Sequence, residues 1–190
     1  MKSPYCFIIK PFDGRRYDNL RTYGDISFII SSSQDDHTVS NRFAIVESVP
    51  IYYDGPVLPG DLVVVHHNVF KFYHDMKGRQ KSSWHHLIDD YFIIEPEQMY
   101  LYKRGTEDWK ATPPFLFVKP IDSEDKMFTS LGRFEELWGE IVYKNDDFTS
   151  AEVGDVVSFT PESEYEFTID GEKLYRMLTN NIAIRWTQER

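Results

Sequence analysis

The sequence contains one cysteine in 190 residues and no long apolar run. With only Cys6 available, no intramolecular disulfide can form, which is typical of a reducing compartment. Apolar stretches such as "DLVVV" have the length of strands, far below the roughly 20 residues of a membrane helix. The first residues lack the apolar region and cleavage site of a secretory signal. We therefore expect no membrane partner and a cytoplasmic location.

Basic residues are also few. Lys and Arg total 21 against 31 Asp and Glu, which gives a formal net charge of -10 and a pI near 5.0. Such a balance opposes attraction to phosphate backbones. We therefore do not expect nucleic acid to be the main partner.

Motifs for catalysis or metal binding are missing from the sequence. It has no Gly-x-Ser-x-Gly, no Gly-rich phosphate loop and no Cys-x-x-Cys. The pairs His66-His67 and His85-His86 would each point to opposite faces if they lay in strands, so they are not expected to form a common metal site. The sequence thus predicts a protein that is not an enzyme and that has no metal and no cofactor.

Short runs of β-branched and aromatic residues, such as "YCFIIK", "RFAIVESV" and "YFIIE", fill most of the chain and are separated by Gly, Pro, Asp and Ser. The only helix-like stretch begins near Leu131, where apolar residues recur at helical spacing. The sequence predicts an all-β protein. The polar segment "KRGTEDWKATPP" predicts a linker over 105–114 between domains at 1–104 and 115–190.

Three segments of the first half recur, in the same order, in the second half. The matched pairs are 7–13 with 117–122, 59–66 with 153–160, and 91–103 with 174–186. Gly60 and Gly154 occupy matching positions before an Asp, where we expect a tight turn with positive φ. An ordered set of matches is far less probable by chance than any single one, so the sequence predicts one module used twice.

The ordered motifs resemble those of the GroES-like co-chaperonins. The best match is "AEVGDVVSFTPESEYEFTIDGEKLYRMLTNNIAIRW" from Ala151 to Trp186, and the resemblance extends over both halves. It implies two tandem GroES-like small β-barrels, in a divergent form whose short loops are compatible with a member of viral origin. It further implies a homo-oligomer that caps a chaperonin to assist protein folding, with ATP bound by that partner.

In this family a long loop between the first two strands carries an apolar tripeptide that binds the chaperonin. The resemblance assigns this role to Ile26, Phe28, Ile29 and Ile30. The surrounding Ser- and Asp-rich sequence buries little apolar surface, so we expect this loop to order on binding. The run "ISFII" is equally typical of an ordinary strand, and both interpretations stay open.

Family members join neighbouring subunits by pairing the first strand of one barrel with the last strand of the next. The resemblance therefore implies oligomer contacts at Phe7, Ile8, Ile9, Met99, Leu101, Ile182 and Ile184. An alternative hypothesis is a structural or assembly protein, for example of a virus particle, which keeps the barrel without binding a chaperonin. A loop already packed in the isolated protein would favour this alternative.

Overall fold

The computed structural model describes residues 1–17, 20–23, 26–29, 40–121 and 137–186, and for 20–23 and 26–29 it describes the backbone alone. Strands make up 48% of the chain, and the described part contains no helix of seven or more residues. The predicted all-β class is therefore confirmed. None of the helices in these ranges has the length and apolar character needed to cross a membrane.

The chain forms two compact units, Met1–Asp108 (unit 1) and Trp109–Arg190 (unit 2). The strands of unit 1 are β1 Phe7–Pro11, β2 Leu20–Tyr23, β3 Ile26–Ile29, β4 Phe43–Ser48, β5 Leu62–Val65, β6 Phe72–His74, β7 Gln80–Ser82, β8 His86–Ile88, β9 Tyr91–Ile94 and β10 Met99–Lys103. They form an antiparallel sheet in the order β10-β5-β4-β1-β9-β8, with β2–β3 and β6–β7 as separate hairpins. The domain ranges drawn from sequence stay a prediction.

Unit 2 contains β11 Lys110–Ala111, β12 Phe115–Pro120, β13 Trp138–Lys144, β14 Val156–Phe159, β15 Tyr165–Ile169, β16 Glu172–Leu178 and β17 Ile182–Trp186. Six of these strands form one antiparallel sheet in the order β15-β16-β12-β13-β14-β17. Most of the predicted helix-like stretch after Leu131 lies outside the described residues, and Trp138, at its end, begins β13.

The two units share one topology. Reading β8-β9-β1-β4-β5-β10 against β15-β16-β12-β13-β14-β17 pairs strands that also occur in the same chain order. The register agrees as well. Lys10 of β1 lies opposite Ile45 of β4, and Lys119 of β12 lies opposite Glu140 of β13. In both pairs the register shifts between the two residues that precede the lysine. The predicted repeat is therefore confirmed at the level of strand order and register.

Each unit has its own apolar core. Ile9, Val46 and Phe92 are buried in unit 1, and Val118 and Ile141 are buried in unit 2. Burying one such side chain stabilises a fold by about 1.5–3 kcal/mol. A shift of one residue in strand pairing would move these side chains out of the core, so their burial holds each sheet in register. Among the described strands no sheet closes into a barrel, and the expected pair of GroES-like barrels is not confirmed.

A Gly-Asp turn precedes β5 in unit 1 and β14 in unit 2. Gly60 has φ of 93° and Gly154 has φ of 90°, as the sequence predicts. The Gly60 N–H donates to Val46 O at 2.7 Å, and the Gly154 N–H donates to Ile141 O at 2.8 Å. Positive φ is readily adopted only by glycine, so this residue allows the chain to turn tightly into the sheet.

The aspartate of each Gly-Asp turn joins the loop before it to an arginine. In unit 1 the Asp61 carboxylate accepts the Leu58 N–H at 2.8 Å and two hydrogen bonds from Arg104, each 2.9 Å long. Arg104 also donates to Pro56 O at 2.8 Å. The Asp61 side chain is 2% exposed, so these donors replace its lost hydration.

Unit 2 repeats this contact with an arginine from a different position. Arg185 Nε lies 2.7 Å from the Asp155 carboxylate, and Arg185 Nη1 donates to Ser150 O at 2.8 Å. The Glu152 N–H donates to Asp155 at 2.8 Å. Arg185 lies within β17, whereas Arg104 follows the last residue of β10. Both units therefore contain an aspartate–arginine contact at this turn, but the two arginines come from non-equivalent positions.

We expect Asp61→Ala to destabilise unit 1 by about 2 kcal/mol, because the Leu58 N–H and the Arg104 guanidinium lose a buried acceptor. Urea denaturation followed by circular dichroism measures this change. Asp75→Ala is the control, because Asp75 also binds an arginine and backbone N–H groups, but in an exposed hairpin. An Asp61 variant no less stable than the Asp75 variant would contradict the role of the turn.

Candidate functional site

The connection between β1 and β4 carries the predicted partner-binding residues. Ile26, Phe28 and Ile29 lie in β3, which pairs antiparallel with β2 so that Leu20 faces Ile29. The fourth residue, Ile30, lies outside the described part of the chain. The structure thus brings three of the four residues together on one hairpin strand, and their role in partner binding stays a prediction.

Both ends of this connection meet at one point. Tyr17 and Ser40 form an antiparallel bridge, and the Asn41 N–H donates to Arg16 O at 3.0 Å. The Asn41 side-chain amide donates to Arg15 O at 2.6 Å, while its oxygen accepts the Phe43 N–H at 2.9 Å. Asn41 is buried, and both its side-chain nitrogen and its side-chain oxygen have partners in this region. The residues on either side of 18–39 therefore form a closed base.

Arg16 and Tyr17 attach this base to the rest of unit 1. The Arg16 guanidinium lies 4.3 Å from the ring centre of Phe72 and 4.7 Å from that of Phe92, and it donates to Ser82 Oγ at 2.9 Å. Burial lowers the pKa of Arg16, and the charge of Asp90 opposes that shift. Stacking of a guanidinium on aromatic faces is favourable where water is excluded.

The Tyr17 ring adds a second anchor. It stacks on Phe72 with ring centres 6.1 Å apart, and its hydroxyl accepts the Phe72 N–H at 2.8 Å. We name Arg16, Tyr17, Ser40 and Asn41 the clamp. The clamp was missed by sequence reasoning. In the sequence, the clamp is indicated only by the polar and aromatic residues that flank the predicted loop. A rigid scaffold would have to hold the loop at these two ends.

The predicted oligomer contacts lie in three different settings. Phe7, Ile8 and Ile9 are buried in β1, whose two edges already pair with β4 and β9. Intersubunit pairing through β1 would therefore require a neighbouring strand to move aside. Met99 and Leu101 are buried in β10.

Strand β17 is at an end of the unit 2 sheet as described, and it carries the remaining predicted contacts. Ile182 is partly buried there, while Ile184 is 52% exposed. An exposed edge strand is a ready template for pairing with another chain. Of the predicted contact residues, those of β17 therefore have the most accessible setting, and their role stays a prediction.

The equivalent connection of unit 2, between β12 and β13, falls on residues 122–136, which lie outside the described ranges. Its two flanks are described. Lys119 binds Glu172 at 3.1 Å, and the ring of Trp138 lies 3.8 Å from that of Trp186. The Ile121 N–H donates to Trp138 O at 3.2 Å, so a backbone hydrogen bond joins the two flanks here as well.

Among the residues that the structure describes, the histidines do not converge on a metal site. The ring centres of His66 and His67 lie 4.2 Å apart, and the alternation expected of a strand does not apply to these two residues. The reason is that both follow Val65, the last residue of β5, in a turn closed by the Val69 N–H and His66 O. Within the described ranges no group of three or more His, Cys, Asp or Glu could hold a metal ion.

His85 is a buried histidine with a defined tautomer. Gln98 Oε1 accepts the Glu95 N–H at 3.1 Å, which turns the Gln98 amide nitrogen toward His85 Nε2 at 3.3 Å. His85 Nε2 is then the acceptor, and Nδ1–H donates to Ile93 O at 3.0 Å. Burial lowers the pKa of His85, while the Ile93 carbonyl and the charge of Glu95 oppose the shift. The lowered pKa and these hydrogen bonds both favour the neutral ring, with its proton on Nδ1.

Comparison with known proteins gives no assignment of the chain to a family. A scan against protein-family models finds no matching family. A search of curated proteins finds no significant match.

We expect Asn41→Ala to open the base of the β1–β4 connection. The Phe43 N–H would lose its acceptor, and Arg15 O would lose its donor, at a cost of roughly 1–2 kcal/mol. Amide hydrogen exchange read by mass spectrometry should be about tenfold faster at Phe43. Asn68→Ala, at an exposed position, is the control. Equal exchange in the two variants would show that Asn41 does not hold the connection.

We expect His85 to make unit 1 less stable as the pH falls. The unfolded chain binds the histidine proton at higher pH than the folded chain, so stability is lost below the ordinary pKa of 6.5. His85→Gln should flatten this dependence in denaturation series between about pH 7.5 and 5. His74→Gln, an exposed histidine, should leave the slope unchanged. Equal slopes for all three proteins would exclude a contribution from His85.

Proposed function

We propose that this protein is a co-chaperonin-like protein built from two divergent GroES-like units. It docks on a chaperonin through the β1–β4 connection and assists protein folding in the cytoplasm. It performs no chemistry and uses no cofactor of its own, and the chaperonin binds and hydrolyses the ATP. The protein acts as a homo-oligomer.

The clamped connection is the observation that supports this proposal. Tyr17 and Ser40, on either side of residues 18–39, pair with each other, so the scaffold of unit 1 holds both ends of the connection. Ile26, Phe28 and Ile29 lie within it, on a hairpin that is separate from the main sheet. Binding segments carried by a rigid scaffold are a common arrangement for recognition.

The chemistry of this segment suits a contact that must also release. Burying an isoleucine or phenylalanine contributes about 1.5–3 kcal/mol, and ordering of the surrounding residues subtracts from the total. A few apolar side chains therefore give weak binding at one site. Several copies in one oligomer would raise the overall affinity through effective concentration.

A second candidate function is a structural or assembly protein, for example of a virus particle. The pairing of β3 with β2 favours it, because a hairpin that is already formed needs less ordering on binding and can pack within an assembly. In that function the GroES-like units would be retained without a chaperonin partner. Chaperonin capture distinguishes the two functions.

We expect the double substitution Ile29→Ser and Ile30→Ser to abolish nucleotide-dependent capture by a matched chaperonin. Serine removes the apolar surface that binding would bury. The measurement is a pull-down with and without ATP, together with mass by light scattering and folding by circular dichroism. Folding and mass should be unchanged, since the connection lies outside the clamp.

Ile51→Ser is the matched control, because Ile51 is 59% exposed in unit 1 and lies outside the connection. This variant should be captured like the parent protein. Capture that survives the double substitution would place the contact elsewhere. A parent protein that is folded but not captured would support the structural candidate.

A further inference from the structure

Unit 1 contains a basic hairpin in an otherwise acidic chain. Residues 71–82, which are Lys71 followed by β6, the turn and β7, contain four basic residues and one acidic residue, although the whole chain has a formal charge of -10. Lys77, Arg79 and Lys81 are exposed. We call residues 71–82 the basic hairpin.

The acidic residue of the basic hairpin is already engaged. The Asp75 carboxylate accepts the backbone N–H groups of Lys77 at 2.8 Å and Arg79 at 3.0 Å, and it pairs with Arg79 Nε at 2.9 Å. Asp75 therefore fixes the turn and offsets one of the cations. The remaining positive charge includes the exposed Lys77 and Lys81.

Apolar surface accompanies these charges. Tyr73 lies opposite Lys81 in the hairpin and is 51% exposed, and Met76 in the turn is fully exposed. Trp84, two residues after β7, is 69% exposed. Exposed aromatic and methionine side chains next to cations are typical of a protein interaction surface.

Unit 2 has the opposite charge at the corresponding place. The basic hairpin lies in the connection that follows β5, and its counterpart follows β14. This connection, residues 160–164, contains Glu162 and Glu164 and no basic residue, and the chain from 160 through β15 to 172 contains five acidic residues and no basic one. We call residues 160–172 the acidic segment. The repeat has thus diverged to opposite charge in one connection.

Part of the charge of the acidic segment is neutralised within unit 2. Glu166 pairs with Lys173 at 2.8 Å, and Glu172 pairs with Lys119 at 3.1 Å. Glu162 and Glu164, in the connection itself, are exposed. They are the carboxylates best placed to meet cations from outside the unit.

We propose that the basic hairpin of one copy binds the acidic segment of a second copy of this chain. The two surfaces differ, so the contact is head-to-tail and leaves one free surface at each end. Such a contact extends the assembly until a ring or a filament forms. The inference does not depend on chaperonin docking, because it concerns association of the protein with itself.

A second copy fits these surfaces better than a nucleic acid does. Every copy supplies both charges, and exposed Tyr73 and Met76 add apolar area to the contact. A phosphate backbone would be attracted by the hairpin, but it would be repelled by a chain with a net charge of -10. Oligonucleotide binding is therefore a separate outcome of the test.

The test uses two charge-reversal variants of the full chain. One contains Lys77→Glu and Lys81→Glu, and the other contains Glu162→Lys and Glu164→Lys. Each variant alone places like charges against each other, so we expect association at least about tenfold weaker than that of the parent protein. Sedimentation velocity at low salt and at on the order of 0.5 M salt measures it, since salt should weaken the parent contact.

Mixing the two variants in equal amounts gives the decisive result. Each reversed surface then meets a surface of opposite charge on the other variant, so association should return toward the parent level. Restoration on mixing requires contacts between different copies. A mixture that stays as weak as its components would overturn the proposal, as would a parent protein that remains at the 22.5 kDa monomer mass.

Asp146→Lys with Asp147→Lys is the matched control, because these exposed residues follow β13 and lie outside the acidic segment. This variant should associate like the parent protein. Fluorescence titration with a single-stranded oligonucleotide completes the set. Oligonucleotide binding that is lost with the lysines, in a protein that does not self-associate, would overturn the proposal in favour of a nucleic-acid surface.

Discussion

A carboxylate held between a backbone N–H and an arginine sets the geometry of each unit. Asp61 fixes the chain where it enters β5, and Asp155 fixes the chain where it enters β14. The same loops place Val57 and Ala151 in the two cores. If this turn shifted by one residue, the alternation of buried and exposed positions in the following strand would be reversed. The polar contact therefore determines how the apolar core is filled.

Because both units use the same Gly-Asp turn, the differences between the units lie in the connections between their strands. Unit 1 adds a clamp and the basic hairpin, and these features meet where Arg16 contacts Phe72 and Ser82. Unit 2 has a short connection with Glu162 and Glu164 in place of that hairpin. A duplicated scaffold can keep its core while its connections acquire separate roles, which is why fold alone does not specify the function.

The strands, the duplication and the two positive-φ glycines could be predicted because alternation and Gly-Asp spacing are local signals. Arg104 and Arg185 could not, since they reach equivalent aspartates from non-equivalent positions. The Asn41 side chain contacts Arg15 and Phe12, which lie 26 and 29 positions earlier in the chain. Local sequence patterns do not reveal contacts over such distances. The role of the run 26–30 could not be predicted because a largely apolar pentapeptide serves equally well as a strand or as a binding segment.

The tandem arrangement constrains any assembly that the protein forms. Each chain brings two units, so a ring of whole chains contains an even number of units. The proposed contacts between opposite charges would favour alternation of unit 1 and unit 2, because neighbours of the same type would place like charges together. The longer β1–β4 connection occurs once per chain, so such a ring presents one long connection for every two units. Docking through it would therefore use half as many sites as there are units, and its strength would depend on the number of chains more than on any single contact.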